Sequence, residues 1–409
     1  MLYKPEKCPH PMLAKREQKL LCGKLQAEMK KRDIGYLILR NPANVFYATG
    51  YAPLVGSGVA VVPVEGDPYL LISTLESAEA YAATEDVDVR EFMSWVFIDD
   101  GSEESRRDKG DVIDPQAAVH MAADIIQNHP MGGKIGLELG IISHTFYTAL
   151  CAALPEGHIV DGTSTIKEAR VIKTPWEVEM LRLAARQLDE IWQHMAIDIK
   201  PGMPAWKIDA LYAYYAGLLN MEHGTMSRMN EFVYACGPYV GIGSMPKGYI
   251  LKAGDIVKFD AGFKYLGYTS DIARTFAVGG VATDEAIEVY ETLYRAKCVG
   301  DRMLKPGVSM SDIYHAVRAE VEKSRLIPKY PRGHVGHSIG CDEFVEEYPT
   351  LAPGTQYVLQ PNMVISLELS YFATGMAPAT GGFNLEDTHL ITEDGRESFT
   401  TIPSGLFYR

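Results

Sequence analysis

The sequence predicts an α/β protein with two domains. The chain contains 409 residues, which is more than one hydrophobic core usually organises. Its first part alternates strand-like apolar runs with amphipathic helical patterns, and this alternation is typical of α/β structure. A strong helix start near residue 174 opens a second block. We therefore predict a smaller first domain over residues 1–163 and a second domain over residues 164–409.

The first domain is predicted to begin with an amphipathic helix. Leu13–Arg32 carries apolar residues at helical spacing and is rich in Lys, Glu and Gln, which favour helices. Short β-rich runs and further helical patterns then alternate. The predicted strands are Tyr36–Leu39, Val59–Val64, Tyr69–Ile72 and Lys134–Leu137, and the predicted helices are Leu75–Ala83, Pro115–Ile126 and Ser143–Leu154.

The second domain is predicted to open with a capped helix. Thr174 is a favourable N-cap, and Pro175 fits the first helical position because its missing N–H would be unpaired there anyway. The helix should continue over Trp176–Ile197. The patterns at Pro204–Leu219 and Thr283–Leu304 predict two more helices.

Composition narrows the range of functions. The chain is 47% hydrophobic and 22% charged, with a net charge of −14, and clustered Lys and Arg of the kind that bind phosphate are not expected. We therefore expect no nucleic-acid or anionic membrane partner. The apolar runs are far shorter than the ~20 residues that span a bilayer, and the first residues lack the apolar core of a signal peptide. We expect a cytoplasmic protein whose six scattered cysteines form neither a disulfide framework nor a zinc site.

Two neighbouring strand-like runs each carry an aspartate. Asp255–Phe263 and Thr269–Val278 are separated by a short turn that contains glycine. If the runs pair as a hairpin centred near Leu266, Asp260 and Asp271 lie roughly opposite each other, about 4.5–5.5 Å apart at Cβ. Two carboxylates held so close repel each other unless they are protonated or bridged by a cation.

Three later segments carry further candidate metal ligands. Gly333–Gly340 contains two histidines, His334 and His337, either of which could present an imidazole. Met363–Leu369 places Glu368 opposite an apolar strand face, and Gly382–Ile391 carries a second glutamate. Taken singly, such residues are more often solvated or ion-paired. Together they match the ligands that divalent ions prefer, and the candidate set is Asp260, Asp271, His337, Glu368 and Glu386.

These segments resemble a known family. In order and spacing, DIVKFDAGFKYLGYTSDIARTF, GHVGHSIG, NMVISLELSY and FNLEDTHLIT are similar to the motifs of the creatinase, prolidase, aminopeptidase P and methionine aminopeptidase family. KEARVIKTPWEVEMLRLA also resembles the entry to that family's catalytic domain. The resemblance implies a pita-bread catalytic domain preceded by a smaller creatinase-type α/β domain.

The resemblance also implies a site with two divalent ions, which could be Mn, Co, Zn or Fe. Carried over by position, Asp260 would chelate one ion, Asp271 and Glu386 would bridge both, and His337 and Glu368 would complete the second. Such a site would lower the pKa of a bridging water and polarise a carbonyl group. A homodimer, in which one subunit's first domain helps to close the other's site, is also implied.

Two departures from the family pattern affect the expected substrate. Peptidase members usually carry two further histidines near the metals, and the corresponding positions here are Ser244 and Phe344. Those histidines position the substrate during amide cleavage. We therefore expect metal binding to be retained and the substrate chemistry to differ from that of a routine dipeptidase.

Several residues are candidates for substrate binding or proton transfer. Aromatic faces attract small cations, and a pocket for such a ligand could combine Phe344 and Ser244 with Tyr239, Tyr371 and Trp95. His334, or Glu343 in the acidic run after the metal histidine, could act as a catalytic acid or base. The aromatic residues could instead be core or dimer-interface residues, and a solvated charged loop explains the acidic run equally well.

Three functions remain open from the sequence. The first is a metal-dependent hydrolase that cleaves a C–N (amide) bond in a small substrate or an Xaa-Pro dipeptide. The second is a non-peptidase member that acts on a small zwitterion, such as a dimethylsulfoniopropionate-type lyase or an ectoine or creatine hydrolase. The third is a non-catalytic binding protein, which would be expected to have lost the metal ligands.

Overall fold

The computed structural model describes residues 16–54, 58–94, 114–154, 159–223, 232–239, 248–342, 346–372, 381–404 and 407–408. They divide into two compact units, Ala14–Arg170 and Val171–Arg409. The predicted boundary lies at the start of the helix Thr163–Val171, and the division between the units lies at its end. The exact boundary stays a prediction.

The first unit is built on a mixed sheet with the strand order β4-β3-β2-β1-β5-β6. Strands β3 and β4 are parallel, as are β1, β5 and β6, while β2 is antiparallel to both of its neighbours. Its strands are β1 Ile34–Leu39, β2 Val59–Pro63, β3 Tyr69–Ser73, β4 Asp88–Phe92, β5 Lys134–Leu137 and β6 Ile159–Asp161. Its helices are α1 Gln18–Lys31, α2 Pro42–Thr49, α3 Ser77–Ala83, α4 Ala117–Asn128, α5 His144–Ala153 and α6 Thr163–Val171.

The predicted strands and helices of the first unit are confirmed, with shifts of a few residues at their ends. Helix α2 was not predicted. Asn41 caps it by accepting a hydrogen bond from the Ala43 backbone N–H at 2.8 Å, and Pro42 occupies its first position. This Asn-Pro pair is a recognised helix start, so the sequence did contain a signal for α2.

The second unit contains a larger, largely antiparallel sheet. The strand order is β11-β10-β12-β13-β9-β8-β7, with β14 beside β13 and β15 beside β9. The helices are α7 Pro175–Asp198, α8 Lys207–His223, α9 Asp284–Met303 and α10 Met310–Val321. The strands are β7 Phe232–Cys236, β8 Ile256–Tyr265, β9 Tyr268–Ala277, β10 Gly336–Ser338, β11 Glu347–Thr350, β12 Val364–Phe372, β13 Gly382–Ile391, β14 Arg396–Ser398 and β15 Phe407–Tyr408.

Helix α7 begins as predicted. The Thr174 hydroxyl accepts a hydrogen bond from the Glu177 backbone N–H at 3.2 Å, and the Glu177 carboxylate accepts one from the Thr174 backbone N–H at 2.8 Å. This reciprocal capping box satisfies two N–H groups that the first turn would otherwise leave unpaired. It fixes the start of the longest described helix of the second unit.

The helices cover one face of the large sheet and leave its other face to polar side chains. One hydrophobic cluster joins α7 and α8 to Phe259 and Ala261 of β8, and another joins α9 and α10 to Ile365 and Leu367 of β12. Because side chains alternate along a strand, the residues next to these apolar positions face the opposite side. Asp260 and Glu368 are two of them, so the fold itself places the acidic residues on one surface.

No described helix combines the length and apolarity that crossing a bilayer would require.

Candidate metal centre

The β8–β9 hairpin forms as predicted, but its register differs by two residues. Its turn is Leu266–Gly267, and both residues have positive φ, as a tight two-residue hairpin turn requires. Asp260 therefore pairs with Ala273, and Asp271 pairs with Gly262. The two aspartates are diagonal neighbours on one face and not direct partners, which corrects the expected geometry.

The register aligns three acidic residues in a row across four strands. Asp260 on β8 is opposite Ala273 on β9, which is opposite Glu386 on β13, which is in turn opposite Glu368 on β12. We call these residues the central row. Directly opposite residues share a face, so the three carboxylates of this row extend across the same surface.

The neighbouring row on one side supplies the histidine and the second aspartate. His337 on β10 pairs with Ser366 on β12, and Ser366 pairs with Thr388 on β13. The Thr388 hydroxyl donates a hydrogen bond to the Asp271 backbone carbonyl at 2.8 Å. Asp271 and His337 therefore lie in the same row, next to the central row.

His337 is the centre of the cluster. Its Nε2 atom is 3.4 Å from Glu386 Oε1, 3.5 Å from Asp271 Oδ2 and 3.9 Å from Glu368 Oε2. Its Nδ1 atom lies 3.0 Å from the Ser338 carbonyl oxygen, which orients the ring so that Nε2 points at the carboxylates. The ring is 1% exposed. Of the two histidines in this segment, His337 is therefore the one that the structure joins to the acidic residues.

This cluster fits a divalent cation. The ligand atoms of Asp271, His337 and Glu386 lie within 4.8 Å of one another, and both carboxylate oxygens of Glu386 are buried without a hydrogen-bond partner among the described residues. Burying several carboxylates around a single imidazole is costly. A cation bound by imidazole and carboxylate groups would remove that cost, so these three residues suit a metal.

The other side of the central row carries hydrogen-bond donors. Lys258 Nζ lies 2.9 Å from Asp260 Oδ2. Asn384 Nδ2 donates to the same oxygen at 3.0 Å and to Glu368 Oε1 at 2.8 Å. Arg332 contacts the other oxygen of Glu368. Sequence reasoning missed these three donors, and the only local signal was a lysine in the otherwise apolar start of β8.

Burial and carboxylate repulsion raise the pKa values of some acidic groups, and neighbouring cations lower the pKa of another. Burial and the Glu368 charge raise the pKa of Glu386 to about 7, and burial with the Glu386 charge raises the pKa of Asp271 well above its usual value. Burial also raises the pKa of Glu368, but Arg332 and His337 outweigh it and lower the value to about 2. Burial lowers the pKa of His337, yet the Glu386 and Glu368 carboxylates raise it to about 9. The site is therefore short of positive charge around Asp271 and Glu386.

A buried ionic network supports the cluster from the face that the helices cover. Arg274 Nη2 lies 2.5 Å from Asp387 Oδ1, and Lys297 Nζ of α9 lies 2.5 Å from Asp387 Oδ2. Arg274 also donates to the Glu386 backbone carbonyl at 2.6 Å. The network thereby fixes the strand segment that carries Glu386.

The remaining predicted site residues are partly accounted for. His334 Nε2 lies 3.5 Å from Glu346 Oε2, and its ring centroid is 6.2 Å from that of His337. Tyr239 is half-exposed and packs edge-on against Tyr249, while Tyr371 is partly buried against the core formed with α9 and α10. Four of the predicted residues lie outside the described part of the chain: Trp95, Ser244, Glu343 and Phe344.

The fold and the site define a class of protein. A small α/β unit precedes a helix-backed sheet whose polar face gathers carboxylates and an imidazole that suit a divalent metal. The chain belongs to metallopeptidase family M24, whose model matches residues 179–393, and residues 22–172 match the creatinase/prolidase N-terminal domain. The predicted family and two-domain pita-bread fold are confirmed, and the family is one of hydrolytic enzymes that normally use divalent metals.

Relatives and solved structures agree with this assignment. The chain is 26% identical to the Xaa-Pro dipeptidase of Lactobacillus helveticus over 386 residues, covering 91% of this chain and 94% of that protein. It is also 26% identical to the uncharacterized peptidase YqhT of Bacillus subtilis, covering 91% and 95%. The fold matches the Xaa-Pro dipeptidase from Bacillus anthracis with a TM-score of 0.77 at 21% identity, covering 95% and 99%. It matches the prolidase from Pyrococcus horikoshii with a TM-score of 0.74 at 21% identity, covering the same shares.

Proposed function

We propose that the protein is a metal-dependent hydrolase that cleaves the amide bond of a small substrate, with Xaa-Pro dipeptides as the first class to test. The observation that carries the proposal is the buried Asp271–His337–Glu386 cluster, in which two carboxylates share one imidazole, at 3.5 and 3.4 Å from its Nε2 atom. A cluster of this kind has little structural use without a cation.

Asp271, His337 and Glu386 are the proposed metal ligands at the centre of the site. Glu368 lies beside them, 3.9 Å from His337 Nε2, and completes the acidic wall. A bound divalent ion would supply a water of lowered pKa and an electrophile for the substrate carbonyl. The protein's own role would be to fix the ligand geometry and to keep the acidic groups in the required charge state.

Two residues around the ligands have proposed supporting roles. Arg332 holds the pKa of Glu368 low, so Glu368 stays ionised and can accept a hydrogen bond from a nucleophilic water. His334 lies beside the metal histidine with its side chain 23% exposed, close enough to solvent to pass a proton out of the site. Burial and the charge of Arg332 lower its pKa, so the ring is neutral and can accept that proton.

The names of relatives support the substrate class. The curated relatives from Lactobacillus helveticus and Pyrococcus furiosus are Xaa-Pro dipeptidases at 26% and 24% identity, and each matches over more than nine-tenths of this chain. At this identity the substrate of a relative is a starting point for a screen. The one feature that favours a small zwitterion as the substrate is that Ser244 and Phe344 stand where peptidase members usually carry histidines.

A substrate screen with controlled metal content tests the proposal. The purified chain is stripped with a chelator, reloaded separately with Mn, Co, Zn or Fe, and assayed for proline release from Ala-Pro, Met-Pro and Gly-Pro, with Ala-Ala and small zwitterions in parallel. We expect amide hydrolysis that disappears on stripping and returns on reloading. Turnover that survives stripping, or an alkene product from a zwitterion, would overturn the proposal.

A matched pair of variants links the activity to the site. Glu386→Gln keeps the size of the side chain but removes the carboxylate, and we expect a loss of at least a hundredfold in kcat/KM. Glu393→Gln is the control, because Glu393 is exposed just beyond the strand that carries Glu386. Similar activity of the two variants would count against Glu386 as a ligand.

A further inference from the structure

We propose that the ammonium group of Lys258 takes the place of a second metal ion, so that the site binds one divalent ion where the family resemblance implies two. The inference rests on the proposed metal site and refines it. It changes the role of Asp260, which becomes the partner of an internal cation and not a metal ligand.

Asp260 already has two donors at one of its carboxylate oxygens. Lys258 and Asp260 are two residues apart on β8 and therefore face the same side. Lys258 is 2% exposed, and its Nζ atom lies 2.9 Å from Asp260 Oδ2. The same oxygen accepts a hydrogen bond from Asn384 Nδ2 at 3.0 Å. An ammonium and an amide N–H therefore already use the two acceptor sites of this oxygen.

The candidate metal ligands and the donors to Asp260 lie on opposite sides of the central row. Asp271 and His337 lie on one side of the central row, and Lys258 and Asn384 lie on the other, since Lys258 pairs with Thr275 and the Thr275 hydroxyl donates to the Asn384 carbonyl. The residues that suit a metal therefore lie on one side of the central row, and the lysine and the amide donor lie on the other. Among the described residues, two groups could hold a metal, Asp271–His337–Glu386 and His337–Glu346–Glu368, and they share His337. Asp260 belongs to neither.

The side-chain charges at the site leave room for one divalent ion. Among the described residues, four largely buried carboxylates surround the site, those of Asp260, Asp271, Glu368 and Glu386, and the half-exposed Glu346 lies 3.5 Å from His334 Nε2. Lys258 is paired with the first and Arg332 with the third. The two carboxylates that remain carry the charge that one divalent ion neutralises. A second divalent ion would leave the site with excess positive charge in a buried place where solvent screens little.

A metal bound to Asp260 would lie close to the ammonium group of Lys258. A metal bound to Asp260 Oδ2 would lie about 2.0–2.2 Å from that oxygen, and the Lys258 ammonium lies 2.9 Å from it. The two cations would then be at most about 5 Å apart. Like charges at that separation repel strongly when they are removed from water. A second ion on this oxygen would therefore have to displace a lysine that is only 2% exposed.

Metal stoichiometry tests the inference without relying on activity. The full-length chain is stripped, dialysed against excess Mn²⁺ and measured by inductively coupled plasma mass spectrometry and isothermal titration calorimetry. We expect one ion per chain for the native protein. For Lys258→Met, which keeps the length of the side chain but removes its charge, we expect two ions per chain. Lys252→Met, at an exposed lysine shortly before β8, is the control and should bind one.

Electron paramagnetic resonance gives an independent readout. A single Mn²⁺ ion gives an isolated six-line spectrum, whereas two ions that share bridging carboxylates give an exchange-coupled spectrum. We expect the isolated spectrum for the native protein and for Lys258→Arg, which keeps the charge. The coupled spectrum is expected for Lys258→Met. If Lys258→Met does not fold, Lys258→Gln replaces it, and the Lys258→Arg and native spectra still decide the native stoichiometry.

The outcomes separate this inference from the proposed function. Two ions bound to the native protein would overturn the inference and leave the proposed hydrolase intact. One ion bound to both the native protein and the charge-removing variant would also overturn it, because Lys258 would then not be what excludes the second ion. A native protein that binds no metal would overturn the proposed function itself.

Discussion

Replacing Arg274 by lysine should destabilise the second unit by about 2–6 kcal/mol. Arg274 is fully buried and its five N–H groups are all used. The acceptors are the carbonyl groups of Ala273, Glu386, Ile402 and Pro403 and the Asp387 carboxylate, at 2.5–3.2 Å.

The magnitude follows from the donors that are lost. Lysine offers three N–H groups where arginine offers five, so at least two buried acceptors lose their donor. Each buried acceptor left unpaired costs about 1–3 kcal/mol, which gives the stated range. Charge alone would be conserved, so a purely Coulombic role for Arg274 predicts almost no effect. The substitution therefore separates the hydrogen-bonding geometry from the charge.

Urea unfolding followed by tryptophan fluorescence measures the effect. Three of the four tryptophans in the chain, Trp176, Trp192 and Trp206, belong to the second unit, so the signal reports mainly on that unit. Arg325→Lys is the control, because the Arg325 side chain is 74% exposed and its ion pair with Glu288 is on the surface, where such pairs contribute about 0–1 kcal/mol. A native-like free energy of unfolding for Arg274→Lys, within about 0.5 kcal/mol, would refute the reasoning.

Three further outcomes are expected. First, burial raises the pKa of Asp189 to about 6 although Thr401 donates to it, above the usual value of about 3.9. Its contribution to stability is therefore full below about pH 4 and is lost as the pH rises through 6, and Asp189→Asn should remove about 2–3 kcal/mol of that pH dependence in unfolding experiments. Second, Thr174→Ala should cost about 1 kcal/mol of unfolding free energy, because the capping box of α7 loses its side-chain acceptor. Third, saturating Mn²⁺ should raise the melting temperature of the stripped protein by about 5–10 °C in calorimetry, whereas Glu386→Gln should show little shift.

Each of these outcomes has a result that would contradict it. Parallel pH profiles for the native protein and Asp189→Asn would show that Asp189 does not titrate differently on folding. Equal stability of Thr174→Ala and the native protein would mean that the cap contributes nothing, and Thr174→Ser should stay close to native in either case. A metal-induced shift of equal size in Glu386→Gln and Glu393→Gln would place metal binding elsewhere.

The elements were predictable from the sequence because their signals are local. The Thr174–Pro175 start of α7 and the alternation in β12 are contained within a few residues, and both appear in the structure as predicted. Helix α2 was missed although Asn41 and Pro42 form an equally local start. The hairpin register was predicted only to within two residues, because the strands continue up to Leu266–Gly267, a turn tighter than the five-residue segment expected.

The candidate site was predictable in its acidic residues and not in its cations. Aspartate and glutamate in strand-like runs are visible as exceptions to an apolar pattern, and family motifs add to that signal. The pairing of Arg332 with Glu368, or of Asn384 with Asp260, depends on the order of the strands across the sheet. That order arises from tertiary structure, and no local spacing in the sequence encodes it.

The crowding of acidic side chains has a consequence for the amount of protein in the cell. Without a cation, the closely spaced carboxylates of Asp271 and Glu386 oppose the folded state, and a ligand that binds only the folded state shifts the folding equilibrium. Metal starvation should therefore shorten the lifetime of the chain, since proteases remove the unfolded fraction. A pulse-chase experiment in chelated and replete medium would show this as faster turnover of the native protein, and equal half-lives would contradict it. Metal supply would then govern abundance as well as catalysis.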